Sequence, residues 1–354
     1  MEAGETYHED PNNPIEESSN GSLSPNITEE QNESADSLSK HGGDKVQLVN
    51  EQKATSEYQL GNCIGRGQFG AVYKGLNLDT GEVVAVKRIR IDEPRQGDVD
   101  SLMDEVELLK SLSHPNIVRY FGFQRQPDVL NIVLEFVENG SLLNSMKSFG
   151  NFPERLVANY ASHILRGLQY LHTCGVAHCD LKAANVLTTK SGDVKLSDFG
   201  VSKQLTTKDK ATEAVVGTPN WMAPEVIALS GPCFASDIWS LGCTVVELLT
   251  GKPPYADLIN MAALFRIVED DCPPLPPNIS PELESFLKSC FIKEPDQRAT
   301  AASLLEHQWI LKHSRVVSMI SPVAPTPTET TTPVSEAAPK KERKHHKKGL
   351  CDIL

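Results

Sequence analysis

The chain has 354 residues, with 23% charged and 39% hydrophobic, the balance of a globular protein with room for one large domain or two ordinary ones plus tails. Its net charge of −13 is uneven: residues 1–57 carry −10, residues 58–320 carry −5 and residues 321–354 carry +2, so no basic face points to nucleic acid as a partner. The eight cysteines form no C-x-x-C pair, which argues against a zinc site or a disulfide framework and for a reducing, intracellular setting, and no run approaches the ~20 apolar residues of a spanning helix.

Residues 1–57 are rich in Glu, Asn and Ser and poor in large apolar groups. Such a segment buries too little surface to offset chain entropy, so a disordered acidic tail is expected. Its polar start is no secretory signal. Regular structure is expected over 58–311. Three short β-prone runs lie at 58–64, 71–77 and 83–89, the last two joined by Asp79-Thr80-Gly81. The stretch 102–109 reads as a helix with Leu102, Val106 and Leu109 on one face, and Glu105 beside that stripe. Leu156, Tyr160, Ile164, Leu168 and Leu171 recur at helical spacing, as do Ile238, Leu241, Val245 and Leu248. Strands first and helices later predict an α+β fold in two lobes: a small β-rich lobe over 58–136 and a larger, mainly helical lobe over 137–311. Residues 312–339 are rich in Pro and Thr and read as an extended linker; residues 340–354 hold a basic cluster and the terminus.

Four motifs carry chemistry. Gly65-Arg66-Gly67-Gln68-Phe69-Gly70-Ala71-Val72 is a G-x-G-x-x-G loop that lets backbone approach phosphates closely. Dinucleotide-binding folds share it, but there a helix follows, whereas here a β-hairpin does. Val84-Ala85-Val86-Lys87 ends an apolar strand in a lysine. A carboxylate beside a buried stripe wants a cation, which makes Glu105 its candidate partner. His178-Cys179-Asp180-Leu181-Lys182-Ala183-Ala184-Asn185 and Asp198-Phe199-Gly200 follow, with a hairpin between them around Ser191-Gly192-Asp193. Phosphoryl transfer needs metal ions to neutralise charge and a positioned nucleophile. An Asp and an Asn that hold Mg²⁺, with a second Asp to take the hydroxyl proton, supply both.

In these motifs and their order the chain resembles the eukaryotic protein kinases over 58–311. Ala223-Pro224-Glu225, Asp237-Ile238-Trp239-Ser240-Leu241-Gly242 and Arg298 continue the pattern. The resemblance implies a bilobal fold with one regulatory helix in the N-lobe, with ATP and Mg²⁺ as cofactors. It implies that Gly65, Gly67 and Gly70 cover the phosphates. Lys87, paired with Glu105, holds the α- and β-phosphates. Asn185 and Asp198 bind Mg²⁺. Asp180 accepts the substrate proton, and Lys182 stabilises the transferring group. Ile64, Val72, Ala85 and Leu187 resemble the apolar sandwich around adenine, with Leu134 as gatekeeper and Glu135, Phe136 and Val137 as hinge. Glu225 with Arg298, and Asp237, are implied to be structural. Lys182 and Gly217-Thr218-Pro219 follow the serine/threonine type. The run from Val215 to Glu225 is similar to that of MAP kinase kinase kinases, with the likeness strongest to the septation and mitotic-exit branch. That implies protein substrates, downstream kinases among them, and a small GTPase as activator.

The chain departs from the family where an Arg usually stands between His178 and Asp180. Here it is Cys179, and Ala214 occupies a position where related kinases carry Ser or Thr. The usual phosphate acceptor and the Arg that binds it are both missing, so activity is expected without phosphorylation at position 214. A catalytically inactive scaffold is the contrary reading, and Cys179 is its only support. The chain ends in Cys351-Asp352-Ile353-Leu354, which fits a prenylation signal read as geranylgeranyl, except for Asp352. A basic cluster at 340–348 is the usual second anchoring signal. Together they predict a cytoplasmic protein held peripherally on a membrane through Cys351.

Overall fold

Apolar side chains recur at every second position in the first part of the folded chain and at every third or fourth later on, which divides it between sheet and helices. The computed structural model describes residues 45–49, 55–67, 70–91, 110–198, 203–204 and 218–318. Six strands form one antiparallel sheet: β1 (Lys45–Val49), β2 (Thr55–Gly67), β3 (Gly70–Asn77), β4 (Val83–Arg90), β5 (Tyr120–Arg125) and β6 (Val129–Glu135). Their order is β1-β2-β3-β4-β6-β5. Along β3 the burial alternates, so Ala71 and Tyr73 turn inward to meet Val46, Leu60, Val84, Val86 and Val133 in a core belonging to this lobe. The β3–β4 turn is set by Asn77, whose Oδ1 accepts the N–H of Asp79 (2.9 Å) and of Thr80 (3.2 Å).

The second lobe begins with α1 (Leu142–Phe149) and α2 (Glu154–Thr173). Four short strands follow: β7 (Val176–Ala177), β8 (Val186–Thr188), β9 (Val194–Leu196) and β10 (Lys203–Gln204). The helices α3 (Pro224–Ile227), α4 (Phe234–Thr250), α5 (Asn260–Glu269), α6 (Pro281–Cys290), α7 (Ala301–Leu305) and α8 (Gln308–Ser318) complete it. Every residue from Ser236 to Leu248 of α4 is buried, so this helix is the axis of the lobe. It starts at a reciprocal cap between Cys233 and Ser236 and stops at Gly251, which takes φ 81° and bonds the Glu247 carbonyl at 2.8 Å. A Cβ at Gly242 would lie 2.7 Å from the Phe291 ring, so only glycine lets that segment approach. Around α4 pack Leu165 and Leu168 of α2 and Phe286 and Leu287 of α6, each burial stabilising by about 1.5–3 kcal/mol.

The sheet-then-helices architecture is the α+β, two-lobed arrangement expected. Two boundaries need correction. The expected tail 1–57 includes β1 and the start of β2: Val46 and Leu48 alternate with polar neighbours and are buried, and β1 pairs with β2 from Lys45↔Gln59 to Val49↔Thr55. The expected linker 312–339 starts inside α8, which runs to Ser318 and buries Trp309 and Ile310. The helix expected at 102–109, with Glu105, lies outside the described residues, as do residues 319–354 with Cys351.

Candidate active site

The loop after β7 is held from below by α4. Asp237, in the first turn of that helix, accepts the N–H of His178 through Oδ2 and the N–H of Cys179 through Oδ1, both at 2.9 Å. His172 Nε2 lies 2.8 Å from the same Oδ2. Two backbone bonds so closely spaced bend the chain, and Cys179 takes φ 65°, in the left-handed region. Burial alone would raise the Asp237 pKa; the His172 bond, the nearby His178 and the backbone N–H hold it below the ordinary 3.8. Asp237 is therefore the structural anchor the sequence suggested.

Above this anchor, Asp180 has both oxygens engaged. Oδ2 accepts from Lys182 Nζ at 2.8 Å and from Asn185 Nδ2 at 2.9 Å; Oδ1 accepts from Thr218 Oγ1 at 2.9 Å. Lys182 also donates to Thr218 Oγ1 at 2.6 Å. Asn185 Nδ2 further bonds the Asp180 carbonyl at 2.8 Å, which occupies its donor end and leaves the amide oxygen as the end available to a cation. A base, a cation and a carboxamide that sequence places within six residues thus form one hydrogen-bonded cluster.

Asp198 reaches the same cleft from beyond β9. It takes φ 64°, and its Oδ1 lies 3.1 Å from Lys87 Nζ. Burial works against its charge, but the Lys87 ammonium outweighs this and keeps its pKa below 3.8. Lys87 is positioned by register, opposite Val72 on β3 and Ile132 on β6. Above the cleft, β2 and β3 carry the glycines. A Cβ built on Gly65 or Gly67 would meet nothing within 4 Å, whereas one on Gly70 would sit 2.1 Å from the Arg88 carbonyl oxygen. Val72 and Ala85 line the N-lobe side, Ala85 opposite Leu134, and Ile64 is 47% exposed. Leu187 comes from the other lobe on β8, held by a bridge to Ser141. Glu135 ends β6 and Val137 beyond it is buried. Ser141 itself caps α1, accepting the Asn144 N–H at 3.3 Å.

Two contributors were not picked out as site residues from sequence. Thr218 bridges Asp180 and Lys182 directly; Gly217-Thr218-Pro219 was its only signal. Glu247, deep in α4, accepts the Ala183 N–H and the Trp221 Nε1–H, both at 3.0 Å, so it joins the segment that carries Asp180, Lys182 and Asn185 to the turn at Pro219–Trp221. Burial raises its pKa against those two donors. Its signal was a carboxylate in the apolar last turns of α4, between Val246 and Leu248.

The donor set fits a nucleotide with Mg²⁺. Among the described residues there is no cluster of three or more His, Cys, Asp or Glu able to cage a metal. Mg²⁺ asks instead for one or two protein oxygens plus substrate phosphates, which Asp198 and Asn185 can supply with Lys87 beside them. An open glycine flap, a lysine–carboxylate pair and an Asp–Lys–Asn cluster between two lobes are the groups that phosphoryl transfer asks for. The chain belongs to the protein kinase domain family, whose model matches residues 58–310.

Curated relatives agree in type. The chain is 56% identical to cytokinesis protein sepH of Emericella nidulans over 264 residues, which are 75% of this chain and 20% of that protein. It is 54% identical to MAP3K epsilon protein kinase 1 of Arabidopsis thaliana, over 74% of this chain and 19% of that protein. It is 53% identical to cell division control protein 7 of Schizosaccharomyces pombe, over 72% and 24%. The matched part thus spans about a fifth to a quarter of the length of these relatives.

Proposed function

We propose that the protein is an active serine/threonine kinase that transfers the γ-phosphate of ATP to protein hydroxyls. The observation that carries this is the cluster of Asp180, Lys182, Asn185 and Thr218 beside the Lys87–Asp198 pair. When bound, ATP with Mg²⁺ supplies the phosphoryl group and the charge neutralisation. Asp198 and Asn185 would hold the metal, Lys87 the phosphates, and the Gly65, Gly67 and Gly70 backbone would close over them. Ile64, Val72, Ala85 and Leu187 would enclose adenine against 135–137. Asp180 would orient the substrate hydroxyl and take its proton, displacing Thr218 from Oδ1, while Lys182 stays to balance the charge that develops. Phosphorylation of a serine/threonine peptide array by wild type and Asp180→Asn tests this. Phosphate transfer by wild type and about 10²–10⁴-fold less by the variant is expected. Equal, background-level signal from both would leave the inactive scaffold as the reading.

The likeness to relatives named for cytokinesis, cell division and MAP3K supports a place in a septation, mitotic-exit or MAP kinase kinase kinase-like cascade. Downstream protein kinases are the proposed substrates and a small GTPase the proposed activator. The polybasic run at 340–348 and Cys351 support prenylation and peripheral membrane attachment from the cytoplasm. Cys351→Ser should move the protein to the soluble fraction, and an unchanged membrane fraction would reject the attachment.

A further inference from the structure

Asp198 is tied to the N-lobe by Lys87; the strand that leads to it is tied to the hinge by a second lysine. Lys195, in the middle of β9, lies with Nζ 3.0 Å from Glu135 Oε2 and 3.5 Å from the Ile117 carbonyl oxygen. The same Oε2 accepts the Arg119 N–H at 3.0 Å, and the Glu135 N–H donates to the Arg119 carbonyl at 2.8 Å. Arg119 closes the stretch 116–119, which runs beside β9. There Leu196 N–H bonds the Asn116 carbonyl at 2.9 Å, Val118 N–H bonds the Leu196 carbonyl at 2.9 Å, and Asn116 Nδ2 bonds the Val194 carbonyl at 2.8 Å.

Val194 and Leu196 point into the core with no exposure, so strand alternation turns Lys195 to the opposite face, toward Glu135. The pair is sheltered, at 14% exposure for the lysine side chain and 29% for the glutamate. An exposed ion pair adds little. This one stands at the junction of three backbone segments, and among the described residues removing the ammonium leaves the Glu135 carboxylate with the Arg119 N–H alone.

We propose that Lys195 is a positioning residue for nucleotide: its ion pair with Glu135 fixes the hinge at a set distance from Asp198. This rests on the proposed roles of 135–137 and Asp198. A nucleotide held at both ends senses that distance, because phosphoryl transfer tolerates misplacement of the order of 1 Å poorly.

The test uses the full chain with Lys195→Met, Lys195→Arg, Glu135→Gln and the Met/Gln double variant. Calorimetry gives the Kd for ADP with Mg²⁺, and steady-state rates use ATP and a peptide taken from the array. Lys195→Met and Glu135→Gln should each weaken ADP binding and raise KM for ATP about three- to tenfold, with KM for peptide unchanged. Lys195→Arg should restore both, and the double variant should be no worse than either single one. Glu135→Gln keeps the side-chain size and serves if Lys195→Met folds poorly. A Lys195→Met protein that melts lower yet binds ADP as wild type does would reduce Lys195 to a structural contact and overturn the proposal. A wild-type protein that does not bind ADP would instead remove the hinge reading beneath it.

Discussion

Arg298 grips Glu225 with both terminal nitrogens, Nη1 to Oε1 at 2.8 Å and Nη2 to Oε2 at 2.9 Å, in a site where neither side chain is more than 7% exposed. The guanidinium also donates to the carbonyls of Ile292, Ala235 and Lys293. One side chain thus fastens the start of α3, the start of α4 and the stretch before α7. Breaking a buried pair strands the other charge, which costs about 3–5 kcal/mol. Arg298→Met should lower Tm by about 10 °C in a thermal melt. Arg298→Lys should rescue little, because an ammonium cannot reproduce the planar fork.

The Lys87–Asp198 pair separates chemistry from stability. Lys87→Met removes the group that would hold the phosphates from a cleft where Asp198 is half exposed and can be rehydrated. The expected loss in kcat is about 10²–10³-fold, measured on the array peptide, with little change in Tm. A variant that keeps its rate would show that the contact is not part of the reacting geometry.

What sequence made legible is what short motifs hold close together. Asp180, Lys182 and Asn185 meet because one bent loop carries all three, and the regular hairpins put Lys87 opposite Val72. Contacts between residues distant in the chain were harder to read. Lys195 and Glu135 are ordinary charged residues on two different strands, and only the fold turns one toward the other. Strand β1 was lost for another reason. Its Val46 and Leu48 are too few to register against the acidic, polar residues around them, and composition averages them away.

That strand is testable on its own. Val46 is fully buried, and a Cβ on Gly122 of β5 would come 2.8 Å from Leu48 Cδ1, so β1 also covers the far edge of the sheet. Burying each apolar side chain stabilises by about 1.5–3 kcal/mol. Removing residues 1–54 should therefore lower the denaturant midpoint, and Val46→Asp in the full chain should do the same with a loss of about 3 kcal/mol or more. Unchanged midpoints would show that the lobe does not rely on β1.

Cys179 sits where an arginine would bind a loop phosphate, and its backbone is already fixed by the Asp237 bond. With that arginine and the usual acceptor at position 214 both replaced, by Cys179 and Ala214, phosphatase treatment of the purified protein should leave peptide phosphorylation within about twofold of the untreated rate. Loss of activity on dephosphorylation would mean that another basic group has taken over the missing arginine's role. The threonines at 206, 207 and 212 would then be the sites to map.

Acidification should loosen the fold through histidines that are neutral in it. His163 Nδ1 accepts the Val194 N–H at 3.2 Å, and burial, then the neighbouring Arg166, lowers its pKa below 6.5. His114 Nδ1 accepts the Asn116 N–H at 3.1 Å and is lowered by burial, Lys195 and Arg166. Burial lowers His307 and His313 in the same direction. A histidine depressed in the native state takes up its proton first in the unfolded chain, so unfolding binds protons and stability falls with pH. The loss begins as pH drops through about 6.5 and grows toward the lower native values. Protonating His163 at Nδ1 would also turn its acceptor into a donor facing the Val194 N–H, loosening β9, which leads to Asp198. Tm should be lower at pH 5.5 than at pH 7.5, and His163→Asn, which can keep an acceptor near Nδ1 without a charge to gain, should flatten that slope. A Tm independent of pH across this range would show that these rings are not held neutral by the fold.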